Sequence, residues 1–180
     1  MMDFPLGKAF TLLEPGPVIL VTTHDAGKNN VMTISWTMVL DFAATFAITT
    51  GRWNDSYAAL TRTGNCVLAI PTLDLLDTVV GVGTCSGRDV DKFARFGLTA
   101  LPARHVAAPL IGECLANIEC RVVDIVAAHH IVVLQGVAAY LDETRRERRL
   151  LHAVGDGTFV ADGRRFDRRA AMRDKLPEGV

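Results

Sequence analysis

Asn29-Asn30-Val31-Met32-Thr33-Ile34-Ser35-Trp36-Thr37 is the stretch on which the fold turns. It follows an apolar, β-branched run, Val18-Ile19-Leu20-Val21-Thr22-Thr23, and a turn, Asp25-Ala26-Gly27-Lys28. β-Branched residues favour pleated strands, and a connection this short joins strands only antiparallel. One strand is therefore expected over about Val18 to Thr23 and its return over about Asn30 to Val39. Thr33, Ser35 and Thr37 recur at spacing two, which puts them on one face of that return strand. Met32, Ile34, Trp36 and Met38 fall on the other. The expectation is a strand with one buried face and one face of hydroxyls and bare backbone. Such a face either meets solvent or lies against a flat polar ligand.

Working outward, a third strand is expected at about Ala44 to Thr50. Ser56 or Asp55 is placed to cap a helix running to Arg62, with Gly64 as its stop. Asn65 to Ile70 reads as a fourth strand ended by Pro71. Leu73 to Val82 has helical periodicity, and Asp89 to Phe96 is a short helix stopped by Gly97. Thr99 to Gly112 reads as irregular. Cys114 to Val126 and Ile131 to Leu141 are two long strand-like runs joined by Ala127-Ala128-His129-His130. Upstream, Phe4 to Leu13 is weakly amphipathic and predicts one short helix. The tally is mainly β, about six to seven strands with hairpin-like connections. A small closed or split antiparallel β-barrel with short peripheral helices fits this pattern. A doubly wound α/β sheet fits worse, because the first three strands have no helices between them.

At 180 residues and 49% hydrophobic composition, a single domain with a sizeable core is expected over residues 1–180. The net charge of −1 gives no global field for nucleic acid, but the charge is uneven. Residues 145–180 carry 10 basic and 6 acidic side chains, against 9 and 14 in residues 1–144. That tail reads as a solvated face or as a surface for a polyanion or nucleotide phosphate. Cys66, Cys85, Cys114 and Cys120 form no C-x-x-C pair, and reduced thiols fit a cytoplasmic protein. No signal-like pattern stands at the N-terminus, and no apolar run reaches the roughly 20 residues of a membrane span.

No nucleophile motif, zinc motif or phosphate-loop lysine motif is present. Gly81-Val82-Gly83 runs into Thr84-Cys85-Ser86, so the dinucleotide fingerprint is incomplete. His129 and His130 are adjacent and lack a carboxylate set, so no metal site and no side-chain catalyst is expected. Three short segments carry more information: Thr33-Ile34-Ser35-Trp36, Gly51-Arg52-Trp53-Asn54-Asp55-Ser56, and Thr84-Cys85-Ser86-Gly87-Arg88-Asp89-Val90-Asp91-Lys92-Phe93. The last two each combine hydroxyls, a basic side chain and a helix start, the makeup of an anion site.

The order of these pieces resembles the flavin reductase-like family with the FMN-binding split β-barrel, a Greek-key type. The resemblance rests on the Pro17 to Thr23 and Asn30 to Trp36 runs, Gly51-Arg52-Trp53, Asn65 to Pro71, Cys85 to Phe93 and Ala108-Pro109-Leu110-Ile111. It covers about residues 15–142 and leaves 143–180 as a C-terminal extension, dimer-associated if the dimer forms. It implies a homodimer holding FMN, with FAD as a further flavin substrate and NADH or NADPH as reductant. Thr33, Ile34, Ser35 and Trp36 would lie along the isoalloxazine. Arg52, Asn54 and Ser56 would hold the phosphate, with Ser86, Arg88 and Lys92 adding phosphate or ribityl contacts. His130 matches a family histidine facing the flavin or nicotinamide region. The chain departs from the family pattern at Trp53-Asn54-Asp55, where members place Thr or Ser nearer the Arg. The implied activity is hydride transfer from NAD(P)H to flavin, feeding a partner monooxygenase or another acceptor. Two other classes stand beside it: a non-catalytic flavin-binding or storage protein, and, last, a polyanion adaptor acting through the Arg145 to Lys175 tail.

Overall fold

The computed structural model describes residues 16–172 together with Pro5, Leu12 and Lys175. The helix expected over Phe4 to Leu13 lies largely outside the described residues. In chain order the elements are β1 Ile19–Asp25, β2 Lys28–Ile34, β3 Thr37–Val39, β4 Thr45–Thr49, α1 Asp55–Thr63, β5 Asn65–Ile70, a 3₁₀ turn Leu73–Leu75 and α2 Leu76–Gly83. They continue with α3 Lys92–Phe96, β6 Ala100–Leu101, β7 Leu110–Ile111, β8 Ala116–Val126, β9 Ile131–Leu141, β10 Leu151–Ala153, β11 Phe159–Ala161 and α4 Arg169–Met172. Gly64 (φ 66°) and Gly97 (φ 64°) end α1 and α3 in the left-handed conformation, which glycine adopts without Cβ strain.

The main sheet has seven strands in the order β2-β1-β5-β8-β9-β4-β3, and every pairing is antiparallel. Its two end strands, β2 and β3, are neighbours in sequence, separated only by Ser35 and Trp36. Seven strands laid flat would span about 29 Å, whereas the link from Ile34 to Thr37 reaches at most about 11 Å. The sheet therefore curls until its ends meet, and the mainly β split barrel follows from that constraint. The single return strand expected over Asn30 to Val39 is corrected here: it breaks at Ser35-Trp36. The β1–β2 and β3–β4 hairpins both exist, yet they stand at opposite ends of the sheet.

Two apolar clusters sandwich the sheet. The inner one gathers Ile19, Val21, Met32, Ile34, Ile48, Cys66, Cys120, Val132 and Leu134, and α1 contributes Leu60. The outer one sets Val18, Leu20 and Val31 against Val79 and Val82 of α2, Phe93 of α3 and Leu151 of β10. Both faces of β1 and of most of β2 are thus buried, which explains the near-continuous apolar run of β1. The expected polar face of β2 is covered by α2: Val31 and Thr33 point at it, and Thr33 Oγ1 donates to the Val79 carbonyl at 2.7 Å. The expected burial of the other face holds for Met32 and Ile34 and fails beyond the break, where Trp36 and Met38 are each 56% exposed.

Smaller corrections have local causes. The helix expected from Asp89 begins at Lys92, where Asp91 caps it by accepting from Ala94 N at 3.1 Å. The irregular stretch Thr99 to Gly112 contains the β6–β7 pair, and Glu119 anchors it from beneath. The buried Glu119 carboxylate accepts from Arg104 N, His105 N and the Tyr140 hydroxyl at 2.6–2.8 Å. Burial pushes its pKa up, but the Tyr140 hydroxyl and the two N–H groups outweigh burial and hold it below the usual value. Past Asp142 the chain returns to the sheet's outer side. Arg145 pairs with Asp74 and reaches Thr72, and Val18 N donates to Leu151 O at 2.7 Å.

Candidate active site: an anion cleft at the head of α1

Two loops meet where β2 emerges beneath α2. One leads into α1 and the other runs from Thr84 to Asp91. Asp55 clamps them together. Its carboxylate accepts from Asn30 Nδ2 at 3.2 Å and pairs with Arg88 Nε at 3.1 Å, while Lys28 Nζ donates to the Gly87 carbonyl. Gly87 is needed for this closeness, since a Cβ there would stand 2.2 Å from the Asn30 side chain.

Between the loops lies a cleft of about 260 Å³ lined by Thr33, Asn54, Ser56, Ser86, Arg88 and Lys92, with Asn30, Met32, Trp53, Asp55, Val82, Gly83, Thr84 and Cys85 completing its wall. Its chemistry is that of an anion receptor. The first-turn N–H groups of a helix have no intrahelical partner, and the positive end of the helix dipole adds to them. Asn54 begins α1 without a side-chain cap, and its amide Nδ2 donates to Thr50 Oγ1 at 3.1 Å. Lys92 is only 6% exposed, and its Nζ donates to the Val82 carbonyl at 2.8 Å, near the C-terminal end of α2. An ammonium has three donors, so that carbonyl leaves capacity to spare. Burial lowers the Lys92 pKa, opposed by the negative fields of Cys85 and Asp55. Ser56 is 2% exposed, and its Oγ has no hydrogen-bond partner among the described residues. A buried hydroxyl left unpaired costs about 1–3 kcal/mol. It sits on the cleft wall where an oxyanion would pair it.

The remaining residues proposed from sequence lie elsewhere. Ile34 is in the inner cluster. Ser35 lines an adjoining depression that shares Thr33, Gly83 and Thr84 with the cleft and is closed by Phe159 and Gly157. Trp36 borders an apolar groove with Met38, Ile48 and Ile131. Arg52 lies in a separate groove along the outside of α1. His130, in the left-handed region at φ 56°, meets Trp53 edge-on with ring centroids 4.7 Å apart. Trp53 in turn borders the cleft, so His130 reaches it only at second hand within one chain.

Sequence reasoning missed Asn30, Asp55 and Gly83 as wall residues. Asn30 and Asp55 were legible only as strand and cap residues. Gly83 stands 3.3 Å from Thr33 at its Cβ position, a closeness that only the α2–β2 packing reveals. Among the described residues no three His, Cys, Asp or Glu side chains gather as metal ligands, all four cysteines are free, and no helix is long and apolar enough to cross a membrane.

Comparison with known proteins agrees with this architecture. An uncharacterized protein of Archaeoglobus fulgidus is 37% identical over 97 residues, 53% of this chain and 55% of that protein, so the match spans about half the length of that curated relative. Flavoredoxin of Desulfovibrio vulgaris (Miyazaki F) superposes with a TM-score of 0.81 at 26% identity, over 93% of this chain and 97% of its own. An FMN-binding domain of a flavin reductases-like enzyme from Shewanella baltica OS155 gives a TM-score of 0.78 over 92% and 96% of the two chains, and at 23% identity that likeness speaks to fold alone. The flavin reductase like domain matches residues 12–158, which is most of the chain, and this protein belongs to that family.

Proposed function

We propose that this protein is an FMN-dependent flavin reductase that takes hydride from NADH or NADPH and passes it on as reduced flavin. The observation that carries this reading is the unpaired, buried Ser56 hydroxyl on the same cleft as the buried Lys92 ammonium, at the uncapped head of α1. Those groups fit a phosphomonoester. The α1 N–H groups and Ser56 would pair its oxygens, Lys92 would balance its charge, and Ser86 would donate from the opposite loop. The depression beside Ser35 shares three wall residues with the cleft, so the flavin's ring end would have a path past Thr33 toward Ser35. Bound flavin itself supplies the hydride-accepting chemistry. The chain's residues would bind, orient and shield it.

A homodimer belongs to this reading. Trp36, Met38, Val39, Leu40 and Phe42 form an exposed apolar patch next to the Ser35 end of the path, of the kind that marks a protein interface. A second copy there would cover the ring end. A cytoplasmic location and a partner monooxygenase extend the same reading.

The test is spectroscopic. Purified protein titrated with FMN is expected to quench flavin fluorescence and to protect Cys85, a half-exposed wall residue, from alkylation. The other three cysteines are buried, and burial pushes the Cys114 thiol up to about 12, so they stay unlabelled throughout. Anaerobic NADH and NADPH are then expected to bleach the visible absorption band of the oxidised flavin in the complex. FMN binding without bleaching would make this a flavin-storage protein. Absence of FMN binding would end the reading.

A further inference from the structure

Arg52 was expected on the flavin phosphate and is not in that cleft. It lines a second groove of about 490 Å³ on the outer side of α1, together with Asn54, Asp55, Tyr57, Thr61 and Arg88. This groove is nearly twice the volume of the first and falls in the general range of small-molecule and cofactor pockets. Three residues, Asn54, Asp55 and Arg88, belong to both walls, so the two spaces meet across the Asp55–Arg88 pair.

The charges differ in their freedom. Asp55 is shared between Arg88 and Asn30, which leaves Arg88 largely neutralised. Arg52 takes part in no ion pair among the described residues. A planar guanidinium with unpaired donors recognises phosphate in bidentate fashion. Tyr57, which also packs on the inner cluster, gives the groove an aromatic wall, the kind of surface a purine packs against. Thr61, one helical turn on, donates to the Tyr57 and Ala58 carbonyls and keeps its hydroxyl oxygen as an acceptor. A single inorganic anion would not need this volume or an aromatic wall.

We propose that this groove receives the adenosine-phosphate half of a dinucleotide, with Arg52 as its phosphate ligand and Asp55–Arg88 as the bridge between the two phosphate positions. The proposal rests on the reading of the first cleft as a flavin phosphate site. Two sources share this chemistry: FAD entering in place of FMN, and a nicotinamide dinucleotide arriving on the flavin-loaded protein.

The experiment measures three dissociation constants by calorimetry: FMN and FAD on flavin-free protein, and ADP-ribose on FMN-saturated protein. They are compared in the wild type, Arg52→Ala and Ala58→Trp. Ala58 is exposed on the groove wall, so a tryptophan there fills the groove without removing charge. Both positions are at the surface, and melting curves check that each variant folds. The expected result is an FMN constant unchanged within about twofold and a loss of about tenfold or more in one dinucleotide arm, in both variants, since one lost charge-assisted contact is worth roughly that factor. Loss confined to FAD identifies the flavin as the source, and loss confined to ADP-ribose identifies the nicotinamide nucleotide. Equal loss for FMN and FAD would return Arg52 to the first phosphate and overturn the proposal, as would no change in either arm. If wild-type protein binds no FMN but binds ADP-ribose in an Arg52-dependent way, the flavin reading fails and the groove assignment stands.

Discussion

β2 and β3 look like one strand in the sequence and behave as two materials in the fold. Val31 in β2 is 0% exposed and Val39 in β3 is 68% exposed. Thr33 gives its hydroxyl to the Val79 carbonyl of α2 at 2.7 Å, and Thr37 gives its own to the Pro17 carbonyl at 3.0 Å. Both halves carry the same alternation of apolar and hydroxyl side chains. What differs is the cover. α2 and α3 lie over β2, whereas among the described residues no helix lies over β3, which is met there by the Gly16-Pro17 segment alone at Thr37. A period of two therefore tells which side chains share a face and not which face has a neighbour.

The comparison can be broken or sharpened on either side of the Ser35-Trp36 link. The largest effect is expected on the covered side. Lys92→Met keeps the volume of the side chain and removes its charge. It should raise the FMN dissociation constant about 30–100-fold, the size of one lost charge-assisted hydrogen bond of ~2–3 kcal/mol. Riboflavin, which has no phosphate, should bind the variant and the wild type alike, and fluorescence titration of both ligands checks the pair of outcomes. A pH series sharpens it. Burial lowers the Lys92 pKa from 10.5, so its charge is present below the folded value and lost as pH rises through it. FMN affinity should then fall on the alkaline side before an exposed lysine would deprotonate. The same sign means that folding stability rises with pH across that window, because the unfolded chain holds the extra proton.

Next in size is Val31→Ala, which removes two buried methyl groups from between β2 and α2. A cost of about 2 kcal/mol in chemical denaturation is expected. Thr33→Val should cost about 1 kcal/mol, since it removes the hydroxyl's buried hydrogen bond to the Val79 carbonyl. Val39→Ala should change the stability of dilute monomer by less than about 0.5 kcal/mol, yet shift self-association measured by sedimentation toward monomer. If Val39→Ala destabilised dilute protein as much as Val31→Ala, β3 would have to be covered within the single chain, and the contrast would collapse.

These outcomes bear on how far the sequence could be read. β5 and β9 fall where their β-branched runs and bounding turns put them, at Asn65–Ile70 and Ile131–Leu141. Gly64 and Gly97 stop their helices for a local reason. The break at Ser35-Trp36 had no local signal, as neither glycine nor proline stands there. It is imposed by closure of the sheet, a property of strand order. The covering of β2 was equally hidden, because the helical periodicity of Leu73 to Val82 fixes its apolar side and not the strand it will meet. In the candidate site the loops around Ser56 and Ser86 were legible as helix starts with nearby charge. Lys92 was legible as a cation at a helix start beside Ser86, but its burial was not, because the Val82 carbonyl it meets lies on another helix ten residues earlier. Arg52 and Asn54 are two positions apart, and the turn into α1 sends Arg52 outward while Asn54 borders both spaces.

The β4–β9 pairing reaches far along the chain, joining Thr45 to Gln135. On a ribosome adding roughly 5–20 residues per second, β9 is finished some 5–18 s after β4. Throughout that interval the β3–β4 ribbon, with Leu40 and Phe42 at its tip, has no partner on its β9 side. The newborn chain is at its stickiest there, and a chaperone that guards this protein during synthesis would be expected to hold it at residues 37–49.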